Sequence, residues 1–431
     1  MNLSTIKNSK LNEHYFTITN ELNVPILLYP TPHFSSVCAS FATNFGSTTT
    51  FFKQKNSNDF TEIVDGTAHY LEHKLFQDQG EQNTFNLFAA TGAKANARTS
   101  RNTTAYYFFC THNFEQSLKI LLNFVQHPDF NEKSILKERG IISQEIQMLE
   151  DDPAERMFNN CMEALYKFHP AGKKIGGSIN SIEKINADLL QKCYDAFYNL
   201  KNMAILIAGN FNLNSTLNTI EQNLKIPTYQ PEIELKKIEE PCEVVNSHIE
   251  CNMAIMVPYF CIGYKIKPPT DDKLILKQKL IFEIVCEMLT GEGSNLQNKL
   301  YEQKLVSGGI LSYSIEAGNG YFAVLFAGVS TNYKKVYELL NAEIECVQKN
   351  GFDQALFNLV KKAAFGEQIS NFNSVKSLAE LMLDCFDSTN LNIFSCIETI
   401  STLNLEELNE NFKLLKTKHS VLSVCLPKEV K

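Results

Sequence analysis

The sequence repeats one succession of predicted strands and helices in its two halves, and this repeat limits the possible folds more than any single motif does. In each half a strand pattern is followed by two helical patterns of similar length and spacing. The corresponding segments are 95–110, 114–124 and 130 to about 149 in the first half, and 310–327, 333–347 and 352 to about 369 in the second. The repeat therefore predicts two homologous domains.

The two halves also end in the same way, with a helix followed by a β-branched strand. The matching endings are 181–210 and 396–427, with terminal strands predicted at 204–208 and 420–425. Because each half mixes strands with pairs of helices, we expect α+β domains. Each domain is predicted to be a mostly antiparallel sheet that helices cover on one face.

The length of the chain, 431 residues, suits two domains of about 200 residues each. The segment PTYQPEIELKKIEEP at 227–241 combines prolines with charges, which is typical of an exposed linker. We therefore predict an N-terminal domain over 1–226, a linker over 227–241 and a C-terminal domain over 242–431.

The composition is that of a globular protein and disfavours a role in nucleic-acid binding. Hydrophobic residues make up 44% of the chain, and its formal net charge of -8 disfavours contact with phosphates. The first ten residues have polar side chains where a signal peptide would have its apolar core, and no run of 18 apolar residues follows, so we expect no signal peptide and no membrane span. The twelve cysteines include no C-x-x-C pair, which favours free thiols in the cytoplasm.

The segment HYLEH at 69–73 places two imidazoles one helical turn apart with a carboxylate between them. At about 100° per residue, His69, Glu72 and His73 share one face of a helix. Two neutral imidazoles are good zinc ligands, and a glutamate that stays free of the metal can act as a general base. H-x-x-E-H is the inverzincin signature. The corresponding helix of the second half, at 280–289 (LIFEIVCEML), has no histidine, so the predicted site belongs to the first half.

A third ligand is expected from the helix predicted over 131–149, where Glu138 and Glu145 lie seven residues apart and therefore on one face. One interpretation of this pair is a solvated acidic edge of the helix. The other makes Glu145 a zinc ligand and Glu138 a residue that orients one of the histidines.

The segments GTAHYLEHKLF and, about seventy residues later, ERGIISQEIQMLEDDP resemble the pitrilysin or insulinase type of zinc peptidase, the M16 family, which includes the mitochondrial processing peptidase. The resemblance covers essentially the whole chain, including its repeat. It implies that His69, His73 and Glu145 bind Zn²⁺, that Glu72 is the catalytic base and that Glu138 is its recurrent acidic partner, a second candidate catalytic residue.

A second segment, ANARTSRNTTAYYF from residue 95, also resembles the family. There the corresponding residues begin an edge strand beside the zinc, and the substrate peptide adds to it as an extra strand. Backbone hydrogen bonds of this kind bind an extended chain without demanding one sequence. The resemblance therefore implies substrate contacts from Asn96, Ala97, Arg98 and Thr99, although the same pattern also suits an ordinary half-buried strand.

The chain departs from the family pattern in its second half. Active members that work alone carry an arginine and, seven residues later, a tyrosine, which donate hydrogen bonds near the scissile carbonyl. The corresponding segment here, 291–314, has Tyr301 and Gly308 at these positions. A missing donor to the developing oxyanion would lower the rate about a hundredfold or more.

The resemblance also implies an assembly, since the family encloses its chamber with four such domains, in one long chain or in two chains. This chain has two, so we expect a heterodimer with a paralogous subunit that supplies the arginine and tyrosine, or a homodimer. The leading hypothesis is a zinc endopeptidase subunit that cleaves short or unfolded peptides. The alternatives are a non-catalytic scaffold subunit and a purely structural zinc site, which is less typical because structural sites usually have four ligands.

Overall fold

We describe a computed structural model of the chain, over residues 2–19, 24–55, 57–76, 83–225, 231–308, 311–388 and 392–428. The strands of the first half are β1 (Asn2–Asn8), β2 (Glu13–Thr19), β3 (Ile26–Pro30), β4 (Val37–Thr43), β5 (Phe51–Gln54), β6 (Thr61–Glu62), β7 (Lys94–Thr99), β8 (Thr104–Cys110), β9 (Met203–Gly209) and β10 (Ile233–Leu235). Its helices are α1 (Thr67–Phe76), α2 (Thr84–Thr91), α3 (Phe114–Val125), α4 (Glu132–Asp151), α5 (Pro153–Leu165), α6 (Ile179–Ile182), α7 (Ala187–Phe197) and α8 (Leu213–Asn223).

The second half is built from fewer strands and from longer helices. Its strands are β11 (His248–Met253), β12 (Tyr259–Lys265), β13 (Ser312–Gly318), β14 (Tyr321–Val329) and β15 (Ser420–Pro427). Its helices are α9 (Ile275–Thr290), α10 (Asn295–Glu302), α11 (Tyr333–Asn350), α12 (Gln354–Ser370), α13 (Val375–Asp387), α14 (Ser395–Thr402) and α15 (Leu405–Phe412).

The two large sheets share one topology, as the sequence repeat predicts. The first has the order β1-β2-β3-β9-β4-β8-β7, and the second has the order β11-β15-β12-β14-β13. The last five strands of the first sheet, β3-β9-β4-β8-β7, therefore correspond to the whole second sheet. In both sheets the first of the corresponding pairs is parallel, β3 with β9 and β11 with β15, and the other described pairs are antiparallel. The α+β class and the duplication are confirmed.

Each sheet is covered on its second face by a helix from the other half. The break between α4 and α5 directs the chain there: the Asp152 side chain accepts hydrogen bonds from the amides of Ala154 and Glu155, and Pro153 occupies the first position of α5. α5 packs on β12 and β15 of the second sheet. In return, α13 packs on β4 and β9 of the first sheet. The sequence predicted helices on one face only, and this reciprocal covering accounts for the other.

The predicted linker is only partly exposed. Residues 226–230 of this region lie outside the described residues. Further along, β10 pairs with β5 of the first half in antiparallel register. The carboxylate of Glu240, 5% exposed, forms a buried ion pair with Lys265 on β12 and accepts hydrogen bonds from the backbone amides of residues 167–169. The end of this segment therefore fastens the two halves together.

The other predicted helices and terminal strands lie close to the observed ones. The strands predicted at 95–110 and 310–327 are each a hairpin of two strands, β7 with β8 and β13 with β14, because a turn interrupts the apolar pattern. Residue 310 lies outside the described residues. All twelve cysteines are free thiols, most of them buried. Among the described residues, no helix is long and apolar enough to cross a membrane.

The packing of α5 on the second sheet gives a first prediction. Leu165 is fully buried, and a β-carbon added to Gly263 on β12 would lie 2.9 Å from its side chain, so the two elements are in close contact. Leu165→Ala is expected to lower the free energy of unfolding by about 2–5 kcal/mol, because it leaves a cavity between the halves. Urea denaturation measures this. Leu136→Ala, at a position 58% exposed, is the control and should change stability by less than about 0.5 kcal/mol; equal losses for both variants would contradict the packing described.

Candidate metal centre

Helix α1 presents its polar face to a cavity because its other face is held in the core of the first half. Tyr70 and Leu71 are fully buried, and the Tyr70 hydroxyl donates a hydrogen bond to the carbonyl of Ile135 on α4. This contact fixes α1 against α4. The remaining face carries His69, Glu72 and His73 towards α4 and the edge strand β7.

The start of α1 is covered by the segment 173–178. Gly66, which precedes α1, has a φ of +92°, and a β-carbon there would lie 2.6 Å from the carbonyl oxygen of Gly176. Glycine is therefore required at this close approach. A β-carbon on Gly176 would in turn lie 3.5 Å from Nδ1 of His69, so this segment packs directly on the first imidazole.

Three side chains bring ligand atoms together on the cavity wall. Nε2 of His69 lies 3.7 Å from Oε1 of Glu145, and Nε2 of His73 lies 3.3 Å from Oε2 of the same carboxylate. Within the described residues, these three form the one group of histidine, cysteine and acidic side chains that could hold a metal ion. Tetrahedral zinc with N and O ligands separates neighbouring ligand atoms by about 3.3 Å, which is close to both of these distances.

Glu138 supports the second imidazole from behind. Its side chain is 3% exposed, and Oε1 lies 2.8 Å from Nδ1 of His73. A proton on Nδ1 that is donated to this carboxylate leaves the lone pair of Nε2 free for a metal. The other carboxylate oxygen of Glu138 and Nδ1 of His69 are both buried without a hydrogen-bond partner among the described residues. Unpartnered buried polar atoms of this kind are frequent at functional sites.

The electrostatics of the protein groups favour a cation. Burial lowers the pKa of His73, but hydrogen bonds to Glu138 and Glu145 outweigh it and raise the pKa to about 10. Burial, together with the neighbouring His73, lowers the pKa of His69 to about 4. The hydrogen bond from His73 lowers the pKa of Glu145. The carboxylates that stabilise a proton on His73 would equally stabilise a metal ion bound in its place.

Glu72 is held next to these ligands but turned towards β7. Its Oε2 accepts a hydrogen bond from Oγ1 of Thr99. Burial raises the pKa of Glu72, and the Thr99 hydrogen bond lowers it only in part. A carboxylate with a raised pKa is a better proton acceptor near neutral pH than an exposed one.

The predicted substrate residues lie on an edge strand, as the resemblance implies. β7 is the last strand of the first sheet. The amide of Ser100 donates to the carbonyl of Thr103, so in the alternation of an antiparallel ladder Arg98 and Asn96 pair with β8, whereas Ala97 and Thr99 direct their backbone groups to the free edge. The amide of Ala97, which faces this edge, donates to the side chain of Asn96 rather than to another strand.

The three ligand side chains, Glu72 and residues 96–99 line one cavity of about 810 Å³ between the two halves, whereas Glu138 lies behind its wall. The first half supplies α1, β7, the end of α4 and the start of α5. The second half supplies residues that the sequence reasoning missed, on α9, β13 and α13: Ile275, Lys279, Ile315, Glu316, Ala317, Asp384 and Asp387. No local pattern marks them, because only the reciprocal packing of the halves brings them to the site.

Tyr301 and Gly308 lie elsewhere. Tyr301 is 71% exposed on α10, and Gly308 has a φ of +76° with open space around its α-carbon. Within the described part of the chain, neither contributes to the cavity wall. Groups at these positions therefore do not face the metal ligands of the same chain.

The contact between Glu138 and His73 gives a second prediction. Glu138→Gln keeps the shape and one acceptor of the side chain but removes its charge. Zinc affinity is expected to fall by about 10–100-fold, the usual effect of losing a residue that orients a metal ligand. Competition with a chromogenic chelator measures this affinity. Glu132→Gln, at an exposed position in the first turn of the same helix, is the matched control; an affinity loss of the same size there would refute the role given to Glu138.

The chain is a duplicated α+β protein, and its first half brings together two histidines, a candidate glutamate ligand and a free glutamate beside an edge strand. This is the architecture of a metallopeptidase. Residues 59–178 match the family model for Insulinase (Peptidase family M16), and residues 184–364 match the model for the Peptidase M16 inactive domain. The chain belongs to peptidase family M16.

Individual proteins agree with this assignment. The Bacillus subtilis protein named uncharacterized zinc protease YmfH is 31% identical over 404 residues, which cover 91% of each chain. A crystal structure of a putative M16-like peptidase from Alicyclobacillus acidocaldarius matches with a TM-score of 0.91 and 28% identity over 99% of both chains. Pitrilysin matches in fold with a TM-score of 0.75 and 16% identity, covering 99% of this chain but 46% of its own. The resemblance seen in the sequence is confirmed.

Proposed function

We propose that this chain is the metal-bearing subunit of a zinc-dependent endopeptidase that cleaves short or unfolded peptides. The observation that carries the proposal is the convergence of His69, His73 and Glu145 next to Glu72 in one cavity with the edge strand β7. The donor set and its spacing suit zinc, and the acidic surroundings of His73 favour a cation. Bound zinc would act as a Lewis acid towards the peptide carbonyl and an attacking water.

Different residues of the chain bind the substrate, transfer the proton and orient the base in the proposed reaction. The free edge of β7 binds the backbone of an extended peptide, with the outward-facing groups of Ala97 and Thr99 completing its hydrogen bonds. Glu72 accepts a proton from the attacking water and can return it to the leaving amine. The hydroxyl of Thr99 keeps the Glu72 carboxylate directed into the cavity. A cavity of this size between two covering halves admits an extended segment and excludes a folded domain.

We further propose that the chain works as half of a two-chain assembly. Its fold matches less than half of the pitrilysin chain, so a second chain of this size is needed to give the same number of domains. The positions of Tyr301 and Gly308 outside the cavity support the same view. A paralogue that carries the family arginine and tyrosine is the expected partner, and a second copy of this chain is the alternative. The free cysteines favour a reducing compartment such as the cytoplasm.

A scaffold role is the second candidate function, because the chain lacks the arginine and tyrosine that polarise the substrate. It does not account for Glu72, since a scaffold needs no base beside a metal.

The test uses zinc-loaded protein, alone and with its paralogue. Metal content is measured together with cleavage of an unstructured peptide and of a folded protein of similar composition. We expect one zinc per chain, internal cuts in the peptide alone, and loss of cleavage when zinc is chelated. Bound zinc without cleavage in any combination would favour the scaffold.

A further inference from the structure

The turn that joins β7 to β8 is held by a carboxylate from the other half of the chain. Asp387 is the last residue of α13, in the second half. Its Oδ1 accepts hydrogen bonds from the hydroxyls of Ser100 (2.7 Å) and Thr103 (2.6 Å), and its Oδ2 accepts one from the Asn102 amide (2.9 Å). One carboxylate thus contacts three of the four residues of the turn.

These contacts fix the turn from inside. Oγ of Ser100 accepts hydrogen bonds from the backbone amides of Asn102 and Thr103. Because its own proton is donated to Asp387, both lone pairs of this oxygen are directed at the two amides. The carboxylate therefore sets the orientation of the hydroxyl that closes the turn.

The first half holds the same turn through two backbone carbonyls and through Arg101, whose Nε donates to the carbonyl of Ala171. The amides of Ser47 and Thr48 donate to the carbonyls of Ser100 and Arg101. The other three side chains of the turn face the second half, where the side-chain amide of Asn102 also donates to the carbonyl of Ala317. Removal of the Asp387 carboxylate would loosen the turn without detaching it.

The turn is continuous with Thr99, one of the substrate-binding residues proposed above. Thr99, next to Ser100, donates to Glu72, and its backbone faces the free edge of β7. The local helix gives no reason for an aspartate at position 387, since a negative charge in the last turn of a helix opposes the helix dipole. Its contacts lie in the hairpin of the first half.

We propose that Asp387 is a positioning residue of the peptidase site: from the second half, it holds the β7–β8 hairpin so that the substrate-binding edge and Thr99 keep their places beside Glu72. This inference rests on the proposed function for its effect on catalysis, but the contact between α13 and the hairpin does not. The half without metal ligands thereby positions the substrate-binding strand of the other.

The test measures amide hydrogen exchange and the kinetics of peptide cleavage in Asp387→Ala and Asp387→Asn. The control variant is Glu380→Ala, which changes an exposed residue on the same helix that pairs with Lys376. In Asp387→Ala, peptides covering residues 94–110 are expected to exchange about tenfold faster, the size expected for losing hydrogen bonds to a charged acceptor. Asp387→Asn keeps an acceptor oxygen, so its exchange rate in these peptides should lie between those of the wild type and Asp387→Ala. Glu380→Ala should match the wild type. Helix α13 itself should stay as protected as before, and zinc content should not change.

In the assembled peptidase, Asp387→Ala should raise KM by about tenfold and lower kcat by less than about threefold, because a loosened edge strand weakens substrate binding in the ground and transition states alike. Unchanged exchange in the hairpin would overturn the proposal, as would faster exchange throughout the chain including α13, which indicates a general loss of stability. If no combination of chains cleaves peptides, the proposed function fails, but the exchange measurement still decides whether Asp387 holds the hairpin.

Discussion

Glu72→Gln is expected to leave zinc bound and to lower peptide hydrolysis in the assembled protein by about a hundred- to ten-thousand-fold. Glutamine has the same shape and can still accept the hydrogen bond from Thr99, but it cannot take a proton from water. The ligand atoms of His69, His73 and Glu145 do not include this carboxylate, so the metal site stays intact.

Parallel assays of zinc content and initial cleavage rate check this prediction. Unchanged zinc content serves as the internal control, because it separates loss of the base from loss of the site. Hydrolysis at the original rate would show that another group accepts the proton. Loss of zinc in this variant would instead place Glu72 among the ligands.

Glu145→Gln is expected to lower zinc affinity by more than the 10–100-fold assigned to Glu138, and to abolish hydrolysis with it. The Glu145 carboxylate faces Nε2 of both histidines, and a neutral amide is a poor substitute for it. Zinc retained after dialysis against a chelator, measured by atomic emission, reports the effect.

The matched control is Glu155→Gln, which changes an exposed carboxylate on α5 at the wall of the same cavity. This variant should keep its zinc. If Glu145→Gln binds zinc as tightly as Glu155→Gln does, the third ligand must be another residue, and the metal site proposed here is wrong.

The residues of the candidate metal centre could be predicted from the sequence because their spacing is local. Helical periodicity alone places His69, Glu72 and His73 on one face, and a spacing of seven places Glu138 and Glu145 on one face of α4. The resemblance to the family then indicated that the two helices contribute to the same site. Two short segments therefore contain all five residues, and their contacts with each other could be predicted from one sequence.

The surroundings of the site could not be predicted in the same way. An amphipathic pattern shows that α5 and α13 bury one face, but it does not say which sheet covers that face. Both helices cross to the other half. Asp387 and Thr103 are 284 residues apart in sequence, and nothing near either residue signals their contact. Such contacts depend on the whole topology.

The reciprocal covering also explains how a duplicated chain can keep its chemistry in one half. The second half has no histidine on α9, yet it closes the cavity, covers the first sheet with α13 and holds the β7–β8 turn. Its loss of metal ligands therefore does not make it dispensable. Its contacts with the first sheet and with the β7–β8 turn support the first half.

We propose that this chain carries the zinc and the base, while a partner carries the groups that polarise the substrate. The most direct test measures cleavage of an unstructured peptide by the zinc-loaded chain alone, by its paralogue alone and by an equimolar mixture. We expect the mixture to be at least about a hundredfold more active than either chain, because it restores donors to the developing oxyanion. Full activity of this chain alone would contradict the account.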